Sequence, residues 1–268
     1  MTTTATRPGG APGRASIAAR TLRTDRWWFA PLITVIGLGA WVIYATVRVF
    51  MHKWYWVDDY HYLTPFYSPC VTQSCVPEAA HFGRFLPGWW IIPDAALSLP
   101  FLLLFRLTCY YYRKAYYRSF WLSPPACAVP DGHKTYSGET RFPLIFQNAH
   151  RYAFYAAMLI SLINTYDAIL AMHSPEGFGF GLGNVIIWVN VIMLWAYTLS
   201  CHSCRHIVGG RLKHFSRHPV RYKAWTVVSA LNTRHMMLAW ITLGTLALTD
   251  FYIMALSADW FSDLRFIN

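Results

Sequence analysis

The run VIIWVNVIMLWAYTLS, residues 185–200, contains no charged side chain and is followed at once by CHSCRH, residues 201–206. A helix needs roughly 20 mainly apolar residues to cross a hydrocarbon core about 30 Å thick. We therefore interpret Val185–Cys204 as a membrane-spanning helix. Ionisable and metal-ligating side chains at such a depth are costly and usually functional, so the cysteines and histidines that end this run are candidates for a metal centre.

Four other apolar runs have the length of a membrane span. They are Trp28–Val49, Gly88–Leu107, Leu144–Met172 and His235–Leu256. Only 13% of the residues are charged, against about 25% in ordinary soluble domains. The sequence predicts an all-α membrane protein with five transmembrane helices. The second run contains Pro93, Asp94 and Pro100, and we expect it to pack inside the bundle, where neighbours satisfy the backbone groups that proline frees.

The distribution of basic residues predicts the orientation. Nineteen of the 23 lysines and arginines lie before residue 28, in the second and fourth connections, or at the start of the third span. Because cytoplasmic loops carry the excess of lysine and arginine, the N-terminus is predicted inside and the C-terminus outside. The net charge of +11 then reflects topology and contacts with membrane lipids rather than binding of nucleic acid.

This orientation divides the chain into three parts. Residues 1–27 are predicted to form a flexible basic cytoplasmic tail, residues 28–256 a five-span membrane domain, and residues 257–268 a short outside tail. Cys70 and Cys75 fall in an outside loop, where a short disulfide is expected, two free thiols being the alternative. Cys109 and Cys127 fall inside and are interpreted as reduced, structural residues. The expected location is the plasma membrane of a bacterium.

The candidate metal ligands are Cys201, Cys204, His150 and His235. Residues three apart are neighbours on a helix, so the two cysteines are predicted to face one direction. His150 and His235 begin the third and fifth spans and therefore lie at the same inside depth. His202 and His206 share a different face of the fourth helix, and they are alternate ligands.

Two thiolates with two imidazoles form the ligand set of a Rieske-type [2Fe-2S] cluster, which we favour. The same set also binds structural zinc. Haem b is the main alternative, with His150 and His235 as axial ligands near the inside and His52 and His173 as a second pair outside. Haem leaves the two cysteines of the fourth span unexplained. Separately, Asp94, Asp167 and Asp250 lie in the outer half of the spans and are candidates for a proton route.

Three short segments resemble the membrane-anchor subunits of actinobacterial succinate dehydrogenases. They are HRY at 150–152, CHSCRH at 201–206 with Gly209-Gly210, and NTRH at 232–235, within a likeness that covers roughly residues 28–256. The resemblance implies that an iron–sulfur subunit and a flavoprotein subunit dock on the inside face. It implies electron transfer from succinate to menaquinone or ubiquinone, no catalytic activity for the chain alone, and a second small membrane subunit as a further expected partner.

The same resemblance places a quinone site at the inside face. Arg205, Arg151, Tyr152 and Ser203 have suitable polar side chains there. A second class of function is a non-redox membrane transport or assembly subunit with a structural metal. The small inside loops and the lack of a clear inverted repeat in the sequence argue against a stand-alone transporter.

Overall fold

The computed structural model describes residues 21, 23–132, 140–142, 144–175 and 177–267. Within these ranges the chain forms mainly helices: α1 (Phe29–Met51), α2 (Ala95–Thr108), α3 (Tyr110–Ser119), α4 (His150–Leu170), α5 (Leu182–Leu199), α6 (His202–Gly209), α7 (Pro219–Asn232) and α8 (His235–Ser257). The strands are short: β1 (Trp56–Val57), β2 (Tyr62–Leu63), β3 (His173–Ser174), β4 (Gly177–Phe178), β5 (Phe180–Gly181) and β6 (Arg265–Ile267). Most of the predicted N-terminal tail lies outside the described residues, so its flexibility stays a prediction.

Four helices are long and apolar enough to cross a membrane, namely α1, α5, α8, and α4 together with the 3-10 turn before it. A fifth span is formed when α2 and α3 are taken as one, with a bend of 79° at the break between them. The predicted all-α membrane fold with five spans is confirmed in this form. The orientation of the termini remains a prediction.

The second predicted span is wrong at its start. Residues 88–93 are not helical, and α2 begins only at Ala95. Its 14 residues rise about 21 Å at about 1.5 Å per residue, less than the hydrocarbon thickness. Pro87 and Pro93 disfavour a helix before Asp94, and the Asp94 carboxylate accepts hydrogen bonds from backbone N–H groups of the preceding loop. That segment is therefore held in the loop.

The described residues divide into two compact units, one within residues 1–37 and 114–136 and one within 38–113 and 137–268. In the first, the Arg23 guanidinium donates to the carbonyl of Cys127 at 2.8 Å, and the Thr21 hydroxyl donates to the carbonyl of Ala128 at 2.8 Å. All features discussed below belong to the second unit.

The core of the second unit lies between α5 and α8. The buried face of α5 repeats every three or four residues, as one face of a helix requires, and so does that of α8; these faces include Gly183, Ile187, Val191, Leu194, Ala239, Leu243, Leu246 and Ile253. Small and polar residues take part, because membrane helices associate by close packing and interhelical hydrogen bonds. The Asn190 side chain, for example, accepts a hydrogen bond from Thr245 at 3.2 Å.

The end of this unit away from the starts of α4, α6 and α8 is called the opposite end. The connection between α1 and α2 covers it. The β1–β2 hairpin and a disulfide between Cys70 and Cys75 order this connection. The predicted disulfide is thus confirmed. Tyr62 is fully buried there, and its hydroxyl donates to Asn184 on α5 at 2.7 Å. The other end, at which α4, α6 and α8 begin, is called the basic end.

Candidate metal centre

The helix of the fourth span breaks before the cysteine pair. α5 ends at Leu199, and Cys201 has an extended backbone with φ −64° and ψ 145° before α6 begins at His202. Cys201 caps α6, since its Sγ accepts a hydrogen bond from the backbone N–H of Ser203 at 3.3 Å. The sequence predicted one helix over Val185–Cys204 with Cys201 and Cys204 on one face. The break invalidates that argument from helical spacing.

His150, the first residue of α4, contacts Cys201. Its Nε2 lies 3.1 Å from Cys201 Sγ, and its Nδ1 lies 2.8 Å from the hydroxyl of Thr108. The imidazole stacks on the Phe105 ring, with centroids 5.0 Å apart. Both ring nitrogens are therefore oriented, one toward a thiol and the other toward a fixed hydroxyl.

His235, the first residue of α8, repeats this arrangement with a different cysteine. Its Nε2 lies 3.3 Å from Cys109 Sγ, and its Nδ1 lies 2.6 Å from the hydroxyl of Ser200. The ring is 1% exposed and stacks on Tyr197 at 4.9 Å between centroids. Metal-binding histidines usually have their second nitrogen held in this way, which fixes the orientation of the ring.

Cys109 is the residue that sequence reasoning missed. It occupies the break between α2 and α3, is 2% exposed, and was interpreted as a structural thiol. Among the described residues, no hydrogen bond joins Cys204 to His150 or His235, although Cys204 is also buried. A usable signal was present, because Cys109 follows the second span at the inside depth shared by His150, His235 and Cys201.

Four donors from four separate elements thus meet at the basic end: Cys109, Cys201, His150 and His235. A cavity of about 380 Å³ is lined by three of them, Cys109, His150 and His235, and also by His202. Burial raises the pKa of the Cys201 thiol to about 11. Because Cys201 is fully buried, the neutral thiol is favoured there when no positive charge is beside it.

The spacing of the donors bears on the kind of centre. Among the described residues, the one group of three cysteine, histidine or carboxylate ligand atoms within 4.8 Å of one another is Cys70, Cys75 and Asp94. Both of those thiols are already joined in the disulfide. The donors at the basic end are spread more widely than the ligands of one tetrahedral zinc ion, whose bonds are about 2.0–2.3 Å long. The donor set, two thiols and two imidazoles, is chemically suited to a [2Fe-2S] cluster.

A second recess lies beside the first, and one of the predicted quinone contacts, Arg205, lines it. It has a volume of about 360 Å³ and is lined by His202, Arg205, His206, Gly209, Gly210 and Trp225. The Arg205 guanidinium lies 5.0 Å from the centre of the Trp225 ring, and Arg151 donates to His206 Nδ1 at 2.9 Å. His202 borders both recesses, so they adjoin each other.

Two predicted quinone residues lie elsewhere. Tyr152 is 76% exposed on α4. Ser203 is buried beside the Cys201 sulfur, to which its backbone N–H donates. Of the four, Arg205 lines the recess, and Arg151 adjoins it through its hydrogen bond to His206. His206, predicted as an alternate metal ligand, is exposed and bonded to Arg151.

The carboxylates predicted for a proton route lie at the opposite end. Asp94 accepts hydrogen bonds from the backbone and hydroxyl of Thr72. Asp250 forms a buried ion pair with Arg48, with 2.6 Å between Arg48 Nε and Asp250 Oδ2, and it also accepts from the Tyr44 hydroxyl at 2.6 Å. Each of these two carboxylates is held by groups that tie neighbouring segments together.

Asp167 differs from the other two. It accepts a hydrogen bond from Ser68 and lies 2.9 Å from His81 Nδ1. It also borders a small cavity of about 10 Å³, lined by residues of α4, α5, α8 and the α1–α2 connection, near the lower limit for one water molecule. Polar residues share that cavity, namely Asn164, Asn190 and Thr249.

The comparisons identify the family. A sequence model described as actinobacterial succinate dehydrogenase subunit SdhC matches residues 29–259. The chain belongs to this family. It is also similar to a chain of the solved Mycobacterium smegmatis Sdh1 complex in the apo form, with 70% identity over 96% of this chain and 98% of that chain and a TM-score of 0.89. A comparison with curated proteins found no match.

The chain is therefore a membrane-anchor subunit of a bacterial succinate dehydrogenase, and it crosses the plasma membrane several times. The predicted family, fold class and location are confirmed. The alternative interpretation, a non-redox transport or assembly subunit, is no longer favoured, because the family is that of an oxidoreductase subunit.

Proposed function

We propose that the anchor subunit passes electrons from a docked iron–sulfur subunit to quinone through a Rieske-type [2Fe-2S] cluster held by Cys109, Cys201, His150 and His235. The observation that carries this proposal is the meeting of two thiols and two imidazoles from four elements, with the second nitrogen of each imidazole held by a hydroxyl. When bound, such a cluster accepts and releases one electron at a time, at a potential raised by its histidine ligands.

The protein's own residues prepare this site. Thr108 and Ser200 hold the two imidazoles so that Nε2 of each ring points at a cysteine sulfur. Phe105 and Tyr197 fix the planes of these rings by stacking. Each imidazole is thus held by a stacked ring on one face and by a hydroxyl at one nitrogen. It loses little conformational freedom when it binds metal, which favours a defined centre.

The alternatives have less support. Axial ligation of haem requires two histidines facing each other across the porphyrin, whereas both Nε2 atoms at the basic end face thiols. At the opposite end, His173 Nδ1 lies 3.2 Å from the carbonyl of Ile169 and His52 packs against Tyr55 and Tyr67. Structural zinc would need the donors gathered around one ion, which their spacing does not favour.

The ligand assignment is tested with cysteine variants of the purified complex. Cys109→Ser and Cys201→Ser should abolish an EPR signal that carries nitrogen couplings from imidazole, while Cys204→Ser, the matched control, should retain it. Flavin content and succinate oxidation with a soluble acceptor should remain in all three, since they report the docked subunits. Loss of the signal in Cys204→Ser with retention in Cys109→Ser would assign Cys204 instead. A Soret band of haem in the wild-type complex would overturn the proposal.

We further propose that quinone is reduced in the recess beside the centre. Arg205 lines that recess, and Arg151 lies at its edge through His206, so positive side chains are available where the quinone oxygens gain negative charge. Preorganised donors of this kind contribute strongly in poorly hydrated sites. The flavoprotein and iron–sulfur subunits would then dock at the basic end, and menaquinone and ubiquinone both fit this chemistry.

Removing the Arg205 charge tests this site. Arg205→Ala should lower succinate–quinone activity by about 100-fold, the usual effect of losing one such donor, while activity with a soluble acceptor survives. Arg211→Ala removes a nearby exposed charge that does not line the recess and serves as the control. Equal loss of both activities in Arg205→Ala would indicate a role in assembly, and no loss of either would remove Arg205 from the quinone site.

The proton route stays a proposal with one preferred residue. Asp167 borders the small polar cavity between the spans, whereas Asp94 and Asp250 are occupied by structural partners. We infer that any proton pathway from the opposite end begins at Asp167 and its neighbour His81.

A further inference from the structure

Arg106 is a buried cation whose hydrogen-bond partners are all neutral. It lies on α2, is 6% exposed, and donates to the Tyr112 hydroxyl at 2.8 Å, the carbonyl of Ala239 at 3.1 Å and the Thr242 hydroxyl at 3.1 Å. Within the described residues, no carboxylate lies within 4.0 Å of its guanidinium. A buried charge in a membrane span is costly, so one without an anionic partner calls for a functional explanation.

Tyr197 lies between this cation and the proposed centre. The Arg106 guanidinium is 4.8 Å from the centre of the Tyr197 ring, and the ring stacks on His235 at 4.9 Å. Tyr197 is 2% exposed, and its hydroxyl has no hydrogen-bond partner in the described part of the chain. The Tyr197 ring contacts His235, whose Nε2 lies 3.3 Å from the Cys109 sulfur. Buried hydroxyls are nearly always bonded, so an acceptor is expected there.

Both features are explained if the site carries a cluster with anionic sulfur ligands. We propose that Tyr197 donates a hydrogen bond to a cluster sulfur and that Arg106 supplies the compensating positive charge, so that both residues raise the reduction potential of the centre. This inference rests on the function proposed above. It assigns to Tyr197 and Arg106 a role in setting the reduction potential of the centre, although neither residue is a ligand.

The direction of the effect follows from charge. Two ferric ions, two sulfides and two thiolates would be neutral together, and uptake of one electron from the docked iron–sulfur subunit would leave one negative charge beside Tyr197 and Arg106. A nearby guanidinium and a hydroxyl donor stabilise this reduced form more than the oxidised form, because both interact more favourably with negative charge. Quinone would take up that electron, and the centre would be neutral again.

The test is a redox titration of the EPR signal in the purified complex. Tyr197→Phe keeps the ring that stacks on His235 and removes only the hydroxyl, and Arg106→Gln removes the charge but keeps a donor. In each variant the ratio of reduced to oxidised centre at a fixed potential should fall about tenfold, a shift of about 59 mV for one electron. Tyr252→Phe, which removes a hydroxyl at the opposite end, should leave the potential unchanged.

A second measurement separates tuning from a merely structural role. In the wild-type complex, exchange into deuterated water should introduce a deuterium coupling at the centre, and this coupling should be lost in Tyr197→Phe. If Arg106→Gln does not assemble, Tyr197→Phe still decides the hydrogen bond, and Arg106→Lys tests the charge. A centre with unchanged potential and coupling in Tyr197→Phe would overturn this inference and leave the proposed function intact. Absence of any imidazole-coupled signal in the wild type would overturn the proposed function itself.

Discussion

The buried ion pair between Arg48 and Asp250 joins α1 to α8, and its removal is expected to weaken the bundle. The two side chains are 1% and 0% exposed, and two hydrogen bonds of 2.6 Å and 3.2 Å connect them. Arg48 also donates to the carbonyls of Lys53 and Trp54, each at 3.1 Å, and the Tyr44 hydroxyl donates to Asp250. Both charges are therefore fully bonded where they are buried.

The expected cost depends on which charge is left behind. Removing one partner of a buried pair typically destabilises a protein by about 3–5 kcal/mol, because the other charge stays buried without compensation. We expect a loss in this range for Arg48→Met and also for Asp250→Leu. The double variant replaces the pair by apolar groups. It leaves the partly buried Tyr44 hydroxyl without its acceptor, which costs about 1–3 kcal/mol. It also removes the Arg48 donor from the carbonyls of Lys53 and Trp54, which are exposed residues. It should thus be more stable than either single variant.

A double-mutant cycle measures this coupling. The apparent free energy of unfolding is obtained from denaturant titration of the purified complex in detergent, followed by tryptophan fluorescence. The four proteins together give the interaction energy of the pair, which we expect to be at least about 3 kcal/mol. Single variants that unfold like the wild type, or effects that simply add in the double variant, would refute the argument.

Two further predictions concern packing and orientation. A Cβ at Gly183 would lie 2.2 Å from the Tyr62 ring, so Gly183→Ala should destabilise the protein by about 1–3 kcal/mol. Gly244→Ala is the control. Its Cβ would meet open space, and the thermal midpoint should stay unchanged. In a variant that lacks the exposed native Cys127, a membrane-impermeant thiol reagent should label Ser262→Cys in intact cells and should not label Ser216→Cys. The opposite labelling pattern would invert the predicted orientation.

The apolar runs of the sequence predicted most of the helices because burial in lipid requires long uncharged segments. α1, α4 and α8 begin or end within a few residues of the predicted bounds. The second span was predicted less well, since its hydropathy does not show that Asp94 is bound by the loop before it. Such a contact joins residues far apart in sequence, and its effect on a helix start appears only when both segments are in place.

The sequence alone determined that the chain spans a membrane, and it predicted that most basic residues lie on one side, with histidines and cysteines at the same depth. Only the tertiary structure decided that Cys109 accompanies His235. The fourth helix breaks before Cys201 because its freed groups find distant partners: the Ser200 carbonyl accepts from Asn232 at 2.7 Å, and the Ser200 hydroxyl lies 2.6 Å from His235 Nδ1. Helical periodicity cannot contain this information, since the position of the break depends on hydrogen bonds supplied by other helices.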